Sequence, residues 1–358
     1  MSDDLVIQSH KGPYRVRFLD STAAAAAAGA TGGDVHVIVD ERVADLHGDA
    51  LAPLLSGPSV LWVAATETNK ALDRFPAYVE HLVGRGIRRD HRLVAIGGGI
   101  IQDITCFLAA TLLRGVEWVF LPTTLLAQAD SCIGSKSSIN SGDAKNILGT
   151  FTPPREICLT TRFLDTLDER DVRSGIGEML KVHAIEGPDA FDSIAADYER
   201  LFTDHAIMIH YLRRSLDIKK RYIETDEFDR GSRNVFNLGH SFGHAIEAAT
   251  DFAVPHGIAV TIGIDMANFV AEKLGVGSAE NRVRMHSVLA ANYRGFEAVP
   301  VPLDRFLSAI SKDKKNQGGD LTVILIGRDG QVSKCRRPKD SMFIDACAAY
   351  FNHEGVDR

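Results

Sequence analysis

The chain has 358 residues, of which 45% are hydrophobic and 24% are charged, and its formal net charge at pH 7 is −7. This composition is typical of a soluble globular protein, and the acidic balance argues against a nucleic-acid-binding surface. No apolar run approaches the roughly 20 residues that a membrane-spanning helix needs, so we expect no membrane partner.

The first stretch, "MSDDLVIQSH", is acidic and lacks the apolar core of a signal peptide. The five cysteines are scattered along the chain and form no CxxC pair. These two features predict a cytoplasmic protein whose thiols are reduced and mostly buried.

The first part of the chain alternates between strand-like and helix-like stretches. The predicted strands are "VHVIVDE" ending at Asp40, "SVLWVAA" ending before Glu67, "RLVAIGGGI" and "WVFLPTTLL". A helical pattern such as "NKALDRFPAYVEHLVGRG" lies between strands, and the alanine run 23–28 predicts a surface helix. This alternation predicts a parallel sheet with helices on its faces, where ligands bind beyond the carboxyl ends of the strands. We expect Asp40, Glu67, Gly97–Gly99 and Thr123 at those ends.

The second part of the chain is mainly helical in pattern. Helices are predicted from "RFLDTLDERDVRSGIGEMLKVHAI", "DAFDSIAADYERLF", "HAIMIHYLRRSLDIKKRYIE", the histidine stretch near residue 240 and "GIAVTIGIDMANFVAEKLG". One late strand, "DLTVILIG", precedes the turn "RDGQ". The two prolines of "FTPP" favour a linker. The expected fold class is therefore α/β plus α, with a Rossmann-like parallel-sheet domain at 1–155 and a mainly helical domain at 156–358.

The stretch "IGGGIIQD" places three glycines between a predicted strand and a predicted helix. Glycine lets the backbone approach a phosphate closely, and the amino terminus of the helix offers N–H groups to it. The pattern is not GxGxxG, and tight turns also use glycine, so this stretch alone leaves nucleotide binding open. Asp40 ends an earlier strand, where a carboxylate can hold ribose hydroxyls or simply cap a helix.

Histidines cluster in "RNVFNLGHSFGHAIEAAT" and in "VPHGIAV". His240 and His244 are four residues apart, which stacks them on one helix face. With His256 and Glu178 they offer a carboxylate and imidazoles, and such a set with one open position is the usual layout of a catalytic zinc site. The pattern leaves open which of the first two histidines binds metal, and whether either is only a packed polar residue.

Basic residues are spread through the chain beside small or polar neighbours, namely Lys136, Lys145, Lys181, Lys219, Arg233 and Lys314. Scattered lysines usually lie on the solvated surface, so these basic residues indicate a binding pocket only if the fold brings them together. If it does, the pocket suits a small phosphorylated substrate, with or without a carboxylate.

Several stretches in the same order resemble the sugar-phosphate cyclase family and, within it, the 3-dehydroquinate synthases. The most specific are "GGGIIQD", "LLRGVEWVFLPTTLLAQADS", "KNILGTF", "SGIGEMLK", "RNVFNLGHSFGHAIE", "PHGIAV" and "DKK", and the match runs from about Asp40 to Gly327. In this family the first histidine of GHxxGH binds the metal and the second does not. The resemblance therefore implies that Glu178, His240 and His256 bind the metal, and that His244 is an acid–base or electrostatic partner.

The resemblance also implies roles for other positions, taken one at a time. Those that match the family's NAD-binding positions are Asp40, Glu67, Lys70, Gly98, Gly99, Asp103, Thr123 and Thr124. Those that match its substrate pocket are Asp130, Lys136, Lys145, Asn146, Lys181, Lys219, Arg233, Asn237 and Lys314. Arg114, in "LLRGV", matches an arginine supplied by a neighbouring subunit, so the family implies a homodimer.

The activity implied by the resemblance is conversion of 3-deoxy-D-arabino-heptulosonate 7-phosphate into 3-dehydroquinate and phosphate. NAD takes a hydride from one hydroxyl carbon, phosphate is eliminated, and the hydride returns before ring opening and aldol closure. The implied cofactors are NAD and a divalent metal, zinc or cobalt. The first domain would bind NAD, and the second would bind the metal and the phosphorylated sugar-acid substrate.

The sequence departs from the family pattern near two of the lysines. The usual GGKTG stretch reads "GSKSS" around Lys136, and FYQP reads "FTPP" with Thr152. After Lys181 the chain reads "VHAI" where tyrosine and glycine are more usual, and Asp168 replaces an expected proline. These changes leave open a sister cyclase acting on sedoheptulose 7-phosphate or glucose 6-phosphate, although Arg233 favours a carboxylated substrate.

Two further classes stay open at this point. A metal-dependent polyol dehydrogenase shares the architecture, but a polyol has no phosphate for the lysines to neutralise. A non-catalytic protein that has kept the fold is the other alternative, and it would bind neither metal nor NAD.

Overall fold

The computed structural model of the chain describes residues 4–31, 34–142, 144–312, 316 and 320–352. The chain divides into two compact units. Unit 1 comprises Met1–Asp168 and Lys219–Asp229, and unit 2 comprises Glu169–Ile218 and Arg230–Arg358. No helix among the described residues is both long and apolar enough to cross a membrane.

Unit 1 is built on a seven-stranded sheet with helices between its strands. In chain order its elements are β1 (Leu5–Ile7), β2 (Tyr14–Phe18), α1 (Thr22–Gly29), β3 (Val35–Asp40), α2 (Glu41–Leu55), β4 (Val60–Val63), α3 (Phe75–Gly84), β5 (Arg92–Gly97), α4 (Gly99–Thr111), β6 (Glu117–Pro122), β7 (Lys136–Ser141), β8 (Ala144–Phe151) and β9 (Glu156–Leu159). The strand order is β1-β2-β9-β6-β5-β3-β4, and β7 pairs with β8 in a separate hairpin. The central strands pair in parallel, and only β1 with β2 is antiparallel within this sheet.

The register of the central strands aligns their carboxyl ends. Asp40 of β3 is level with Val63 of β4, and Gly97 of β5 is level with Pro122 of β6. The backbone N–H of Thr123 then donates to the carbonyl of Gly97 at 3.0 Å. The strand ends named from the sequence therefore lie along one edge of one sheet.

The predicted strands of unit 1 are confirmed, and two of its helices differ in detail. The helical pattern that includes "NKALDRFP" begins as two 3₁₀ turns, and α3 starts only at Phe75, with a proline in its first turn. The alanine run is a helix, but not merely a surface one. Ala25 and Ala26 are fully buried in a cluster with Val94 and Ile96, because alanine lets α1 lie close to the sheet.

The two prolines of "FTPP" do not end unit 1. Strand β9 follows them and pairs in parallel with both β2 and β6, so the unit continues to Asp168. Unit 1 therefore ends later than the 155/156 boundary expected from the prolines, because strand β9 follows them and pairs with the sheet.

Unit 2 is mainly helical, as predicted, with one antiparallel hairpin. Its elements in chain order are α5 (Glu169–Glu186), α6 (Pro188–Ala196), α7 (His205–Thr225), α8 (His240–Ala249), α9 (His256–Lys273), α10 (Ala279–Tyr293), α11 (Leu303–Ser311), β10 (Leu321–Ile326), β11 (Val332–Arg337) and α12 (Ser341–Phe351). The last residues of α7, from Lys219, belong to unit 1. Together with the parallel sheet of unit 1, these helices confirm the expected fold class.

Helices α5 and α8 both pack against α9 through glycines. A side chain on Gly177 of α5 would overlap the carbonyl oxygen of Gly257 on α9, and one on Gly243 of α8 would come within 2.8 Å of the carbonyl oxygen of Ala259. Real Cβ atoms do not approach backbone oxygens so closely, so these glycines permit the short distance between helix axes. The three helices that carry the predicted metal ligands are thereby held together.

Candidate functional site

Three helices of unit 2 bring Glu178, His240 and His256 together. The Nε2 atoms of His240 and His256 lie 3.6 Å and 3.5 Å from the same oxygen, Oε1 of Glu178. Glu178 is almost fully buried in the middle of α5, whereas each histidine is the first residue of its helix. One carboxylate oxygen and two imidazole nitrogens therefore converge from three separate segments on one point.

The other ring nitrogen of each of these histidines has a hydrogen-bond acceptor of its own. Nδ1 of His240 lies 3.2 Å from the carbonyl oxygen of Leu238. Nδ1 of His256 lies 3.3 Å from both carboxylate oxygens of Glu247. A neutral imidazole that donates from Nδ1 keeps the lone pair of Nε2 for a metal ion, and both Nε2 atoms face Glu178. The donor set therefore fits a divalent metal.

His244 lies beside this set. The candidate ligand atoms of His240, His244 and His256 lie within 4.8 Å of one another, and the ring centroids of His244 and His256 are 5.5 Å apart. These distances alone do not show which of the two histidines of α8 would bind a metal ion. The short distances from Nε2 of His240 and Nε2 of His256 to Oε1 of Glu178 favour the ligand set that the resemblance implied, and that set stays a prediction.

Charges around Glu178 favour its ionised form. Burial opposes ionisation, but Lys181 at 2.5 Å, with the two histidines, holds the pKa of Glu178 well below its usual range. Burial keeps the pKa of His240 well below its usual value, which suits a neutral ligand. Burial would also lower the pKa of His256, but its hydrogen bonds to Glu178 and Glu247 raise it to about 10. The carboxylates of Glu178 and Glu247 therefore favour a positive charge at this site, either a proton on His256 or a bound cation.

The segment before α8 carries two more residues singled out from the sequence. Arg233 and Asn237 lie on the 3₁₀ turn Ser232–Asn237, and Arg233 is buried. The side-chain amide of Asn237 donates to the carbonyl of Asn234 at 3.0 Å. The turn joins α8 through Gly239, whose φ of +75° and close approach to α9 require glycine. Lys314, the remaining candidate of unit 2, lies outside the described residues.

In unit 1 the glycines after β5 form an open cradle at the amino terminus of α4. A Cβ on Gly98 would come within 2.9 Å of the Thr124 side chain, whereas one on Gly99 would meet nothing within 4 Å. The amino terminus of α4 is therefore open on the side of Gly99, and helix amino termini are common binding sites for phosphate. Asp40, at the end of β3, caps α2 by accepting from the N–H of Arg42 at 3.1 Å, and burial raises its pKa. These features fit a dinucleotide.

A buried lysine links the predicted NAD positions to a predicted substrate residue. Nζ of Lys70 lies 3.1 Å from Asp103, 3.6 Å from Glu67 and 2.9 Å from Oδ1 of Asn146. Burial raises the pKa of Asp103 although Lys70 opposes this. Asn146 has a left-handed backbone, with φ of +52°. The structure thus places Asn146 in the same cluster as three residues assigned to the cofactor.

Asn140 also belongs to this cluster, although it was not predicted from the sequence. Its side-chain amide donates to Oε2 of Glu67 at 2.8 Å, and its Oδ1 accepts from the N–H of Asn146 at 2.9 Å. It is buried and therefore fixes the position of both residues. A single asparagine in a polar stretch carries no signal by which it could have been found.

Five predicted site residues of unit 1 remain, and they lie in separate parts of the unit. Nζ of Lys219, near the end of α7, lies 2.9 Å from Oδ1 of Asp130 and 2.5 Å from its carbonyl oxygen. Lys136 is half-exposed and pairs with Asp229 at 2.5 Å. Lys145 and Arg114 are exposed, and Arg114 has a left-handed backbone, with φ of +65°. The lysines are therefore only partly grouped. Lys70 and Lys219 are buried in polar clusters, whereas Lys145 lies on the exposed strand β8.

The residues that depart from the family pattern are tied into the local structure. Thr152 is buried, and its carbonyl accepts from the indole N–H of Trp118 at 3.2 Å. His183 is fully buried, donates from Nδ1 to the carbonyl of Met179 at 2.8 Å, and has its pKa lowered by burial to about 4. Asp168 is exposed beside Arg42. None of these changes removes one of the proposed metal ligands.

Comparison with known proteins gives a consistent result along the chain. Residues 60–174 match the family described as 3-dehydroquinate synthase N-terminal, and residues 175–316 match the family described as 3-dehydroquinate synthase C-terminal. A 3-dehydroquinate synthase of Sinorhizobium medicae (strain WSM419) is 35% identical over 312 residues, which cover 84% of this chain and 82% of that protein.

Two solved structures, both of synthases, share the fold over nearly the whole chain. The crystal structure of 2-deoxy-scyllo-inosose synthase complexed with carbaglucose-6-phosphate, NAD+ and Co2+ has a TM-score of 0.83 at 20% identity, covering 96% of this chain and 99% of that chain. The 2-epi-5-epi-valiolone synthase from Streptomyces hygroscopicus subsp. jinggangensis 5008, with NAD+ and Zn2+ bound, has a TM-score of 0.80 at 26% identity, covering 95% and 97%. Both family matches and the curated relative agree with the order of motifs read from the sequence, and the chain belongs to the 3-dehydroquinate synthase family.

Proposed function

We propose that this chain converts 3-deoxy-D-arabino-heptulosonate 7-phosphate into 3-dehydroquinate and phosphate, with NAD and a divalent metal ion as cofactors. The observation that carries the proposal is that Nε2 of His240 and Nε2 of His256 both face one carboxylate oxygen of Glu178. This arrangement occurs in a chain of the 3-dehydroquinate synthase family. A carboxylate with two imidazoles suits zinc or cobalt and leaves a position for a substrate oxygen, and His256 would give up its proton when the cation binds.

The residues around the metal ligands prepare them for a cation. The metal, when bound, would polarise the hydroxyl group that is oxidised. The acceptors at Nδ1 of His240 and His256 direct both Nε2 lone pairs towards Glu178. Lys181 keeps Glu178 ionised, so the site offers a negative charge before any cation arrives.

Unit 1 would hold NAD at the carboxyl edge of its sheet. NAD supplies a hydride acceptor that can return the same hydride. The open amino terminus of α4 above Gly99 suits the pyrophosphate, and the carboxylate of Asp40 suits ribose hydroxyls. Further residues proposed to contact NAD are Glu67, Lys70, Gly98, Asp103, Thr123 and Thr124.

The basic residues would neutralise the phosphate and carboxylate of the substrate. Buried Arg233 can hold a carboxylate through paired hydrogen bonds, which supports a sugar acid as the substrate. The residues proposed to hold the remaining substrate groups are Asp130, Lys136, Lys145, Asn146, Lys181, Lys219, Asn237 and Lys314. Preorganised charge of this kind stabilises anions that form during elimination.

His244 is proposed as an acid–base group rather than a ligand. It is exposed and lies on α8 one turn after His240, with ring centroids 5.3 Å apart. An accessible imidazole near neutral pH can give or take a proton from substrate.

We also propose a cytoplasmic homodimer in which Arg114 reaches the substrate of the neighbouring subunit. Exposed Leu113 precedes Arg114, and both have positive φ, so a strained loop presents these side chains outward. All five cysteines are free, which supports a reducing compartment.

A sister cyclase acting on sedoheptulose 7-phosphate is the second candidate. The observation that favours it is the set of changes around Lys136 and Lys181, because these lysines are proposed to contact substrate. Half-exposed Lys136 is paired with Asp229, so its position relative to a substrate phosphate depends on that pair.

One assay separates these candidates. The purified protein is incubated with NAD and Zn²⁺ or Co²⁺ and, in turn, with 3-deoxy-D-arabino-heptulosonate 7-phosphate, sedoheptulose 7-phosphate or glucose 6-phosphate. We expect phosphate release from the first substrate, 3-dehydroquinate as the carbocycle and no net NADH. Phosphate release only from a sugar phosphate without a carboxylate would support the second candidate. Net NADH from a simple polyol would overturn both.

A further inference from the structure

Glu247 of α8 has no role in the proposed reaction so far, yet it is buried against a proposed metal ligand. Both of its carboxylate oxygens lie 3.3 Å from Nδ1 of His256, and only 9% of the residue is exposed. It follows His244 by three residues on α8, whereas His256 begins α9. The contact therefore joins two helices as well as two side chains.

The two proposed imidazole ligands are held by acceptors of different charge. His240 faces the neutral carbonyl of Leu238, whereas His256 faces the carboxylate of Glu247. A carboxylate behind an imidazole fixes the tautomer and ring orientation and makes the opposite nitrogen a stronger donor. A buried carboxylate without a partner is costly, so Glu247 and His256 each hold the other in place.

We propose that Glu247 is a positioning residue of the metal centre. It fixes His256 with Nε2 towards Oε1 of Glu178, and it increases the affinity of that nitrogen for a divalent cation. Its negative charge adds to that of Glu178, whose carboxylate is already paired with Lys181. This inference rests on the metal site of the proposed function and adds a residue that does not touch the ion.

The test measures binding of Co²⁺ alone to the full chain by isothermal titration calorimetry, with the visible absorption spectrum of bound Co²⁺ as a second readout. Glu247→Gln keeps the shape of the side chain and removes its charge. We expect the dissociation constant for Co²⁺ to rise about 10- to 100-fold while the stoichiometry stays the same. The absorption bands should also shift, because the ligand field at His256 weakens.

Glu272→Gln on α9 is the matched control. Glu272 pairs with Arg282 at 2.5 Å and is also partly buried, so this variant loses a comparable ion pair elsewhere in unit 2. We expect Co²⁺ binding to remain within about 3-fold of the original protein, since no charge near His256 changes. Should Glu247→Gln not fold, Glu247→Asp keeps the charge but withdraws it from His256, and it should still weaken binding and shift the spectrum.

The outcomes separate this inference from the proposed function. If the original protein binds Co²⁺ and Glu247→Gln binds it equally well with an unchanged spectrum, the role of Glu247 is overturned and the metal centre stands. If the original protein binds no Co²⁺, the metal centre itself is wrong. Weaker binding in Glu247→Gln and normal binding in Glu272→Gln support the inference.

Discussion

At the scale of single residues, the two histidines of α8 differ because of where the helix starts. His240 is its first residue, so its ring can turn back and donate to Leu238, which precedes the helix. His244 lies one turn inside and is exposed. Their rings are nearly perpendicular, at 89°, so residues four apart in sequence present different atoms to the site.

This difference predicts opposite effects on metal content. His240→Ala should lose the metal and activity together, because it removes one of two imidazole ligands. His244→Ala should keep its metal while turnover falls about 10²- to 10⁴-fold, the usual contribution of an acid–base group. Metal is measured by atomic absorption after dialysis, and turnover by phosphate release. Full metal content in His240→Ala, or metal loss in His244→Ala, would contradict the assignment.

At the scale of elements, the proposed metal site depends on how closely three helices pack. Gly177 on α5 precedes Glu178, and Gly257 on α9 follows His256, so a close contact between these helices lies beside two of the proposed ligands. On the third helix, Gly239 and Gly243 make the corresponding approach to α9. The positions of the ligands thus follow from glycines that have no chemistry of their own.

Gly177→Ala tests this packing. The added methyl would overlap the carbonyl of Gly257, and the backbone can move only if α5 and α9 separate. We expect the free energy of unfolding to fall by about 1–3 kcal/mol, as for other overpacked cores, although alanine favours helix. We also expect weaker Co²⁺ binding, because Glu178 moves with its helix.

The control for that variant is Gly84→Ala at the end of α3, where a methyl group would meet nothing within 4 Å. Its free energy of unfolding in a urea titration should be unchanged or higher by up to about 1 kcal/mol. Equal stability and equal Co²⁺ affinity in the Gly177 variant would show that the helices tolerate separation.

Elements with strong periodicity could be predicted from sequence, whereas the start of helix α3 could not. The strands ending at Asp40 and Gly97 match closely, since short β-branched runs between turn residues have few alternatives. The stretch before Phe75 looks helical, yet it forms 3₁₀ turns that place buried Lys70 against Asp103. Here the ion pair between Lys70 and Asp103, which lie far apart in sequence, accompanies a backbone conformation that differs from the α-helix predicted by the local pattern.

At the scale of the whole molecule, the proposed homodimer makes a second copy of the chain the partner. Arg114 is exposed on a strained loop of unit 1, where it can serve a neighbouring chain. A closed two-fold dimer would use this loop twice, once for each subunit.

Mixing two inactive variants tests that arrangement. Arg114→Ala and His240→Ala proteins are each expected to be inactive, but after subunit exchange one site of each mixed dimer contains both native residues. A random mixture should then recover about a quarter of the original activity, because half of the dimers are mixed and each has one intact site. Phosphate release is measured, with light scattering to establish the dimer. If Arg114 acts within its own subunit, no activity will return.

The sequence by itself determined the fold class, the family and the identity of the chemical groups, because periodicity and ordered motifs are local properties of the chain. Only the tertiary structure decided which atoms meet. It brought Asn146 to Lys70, buried Glu247 behind His256 and turned two Nε2 atoms towards one oxygen of Glu178. Most of these contacts join residues more than 60 positions apart in sequence, and even Glu247 and His256, which are nine residues apart, lie on two different helices whose packing no local pattern encodes.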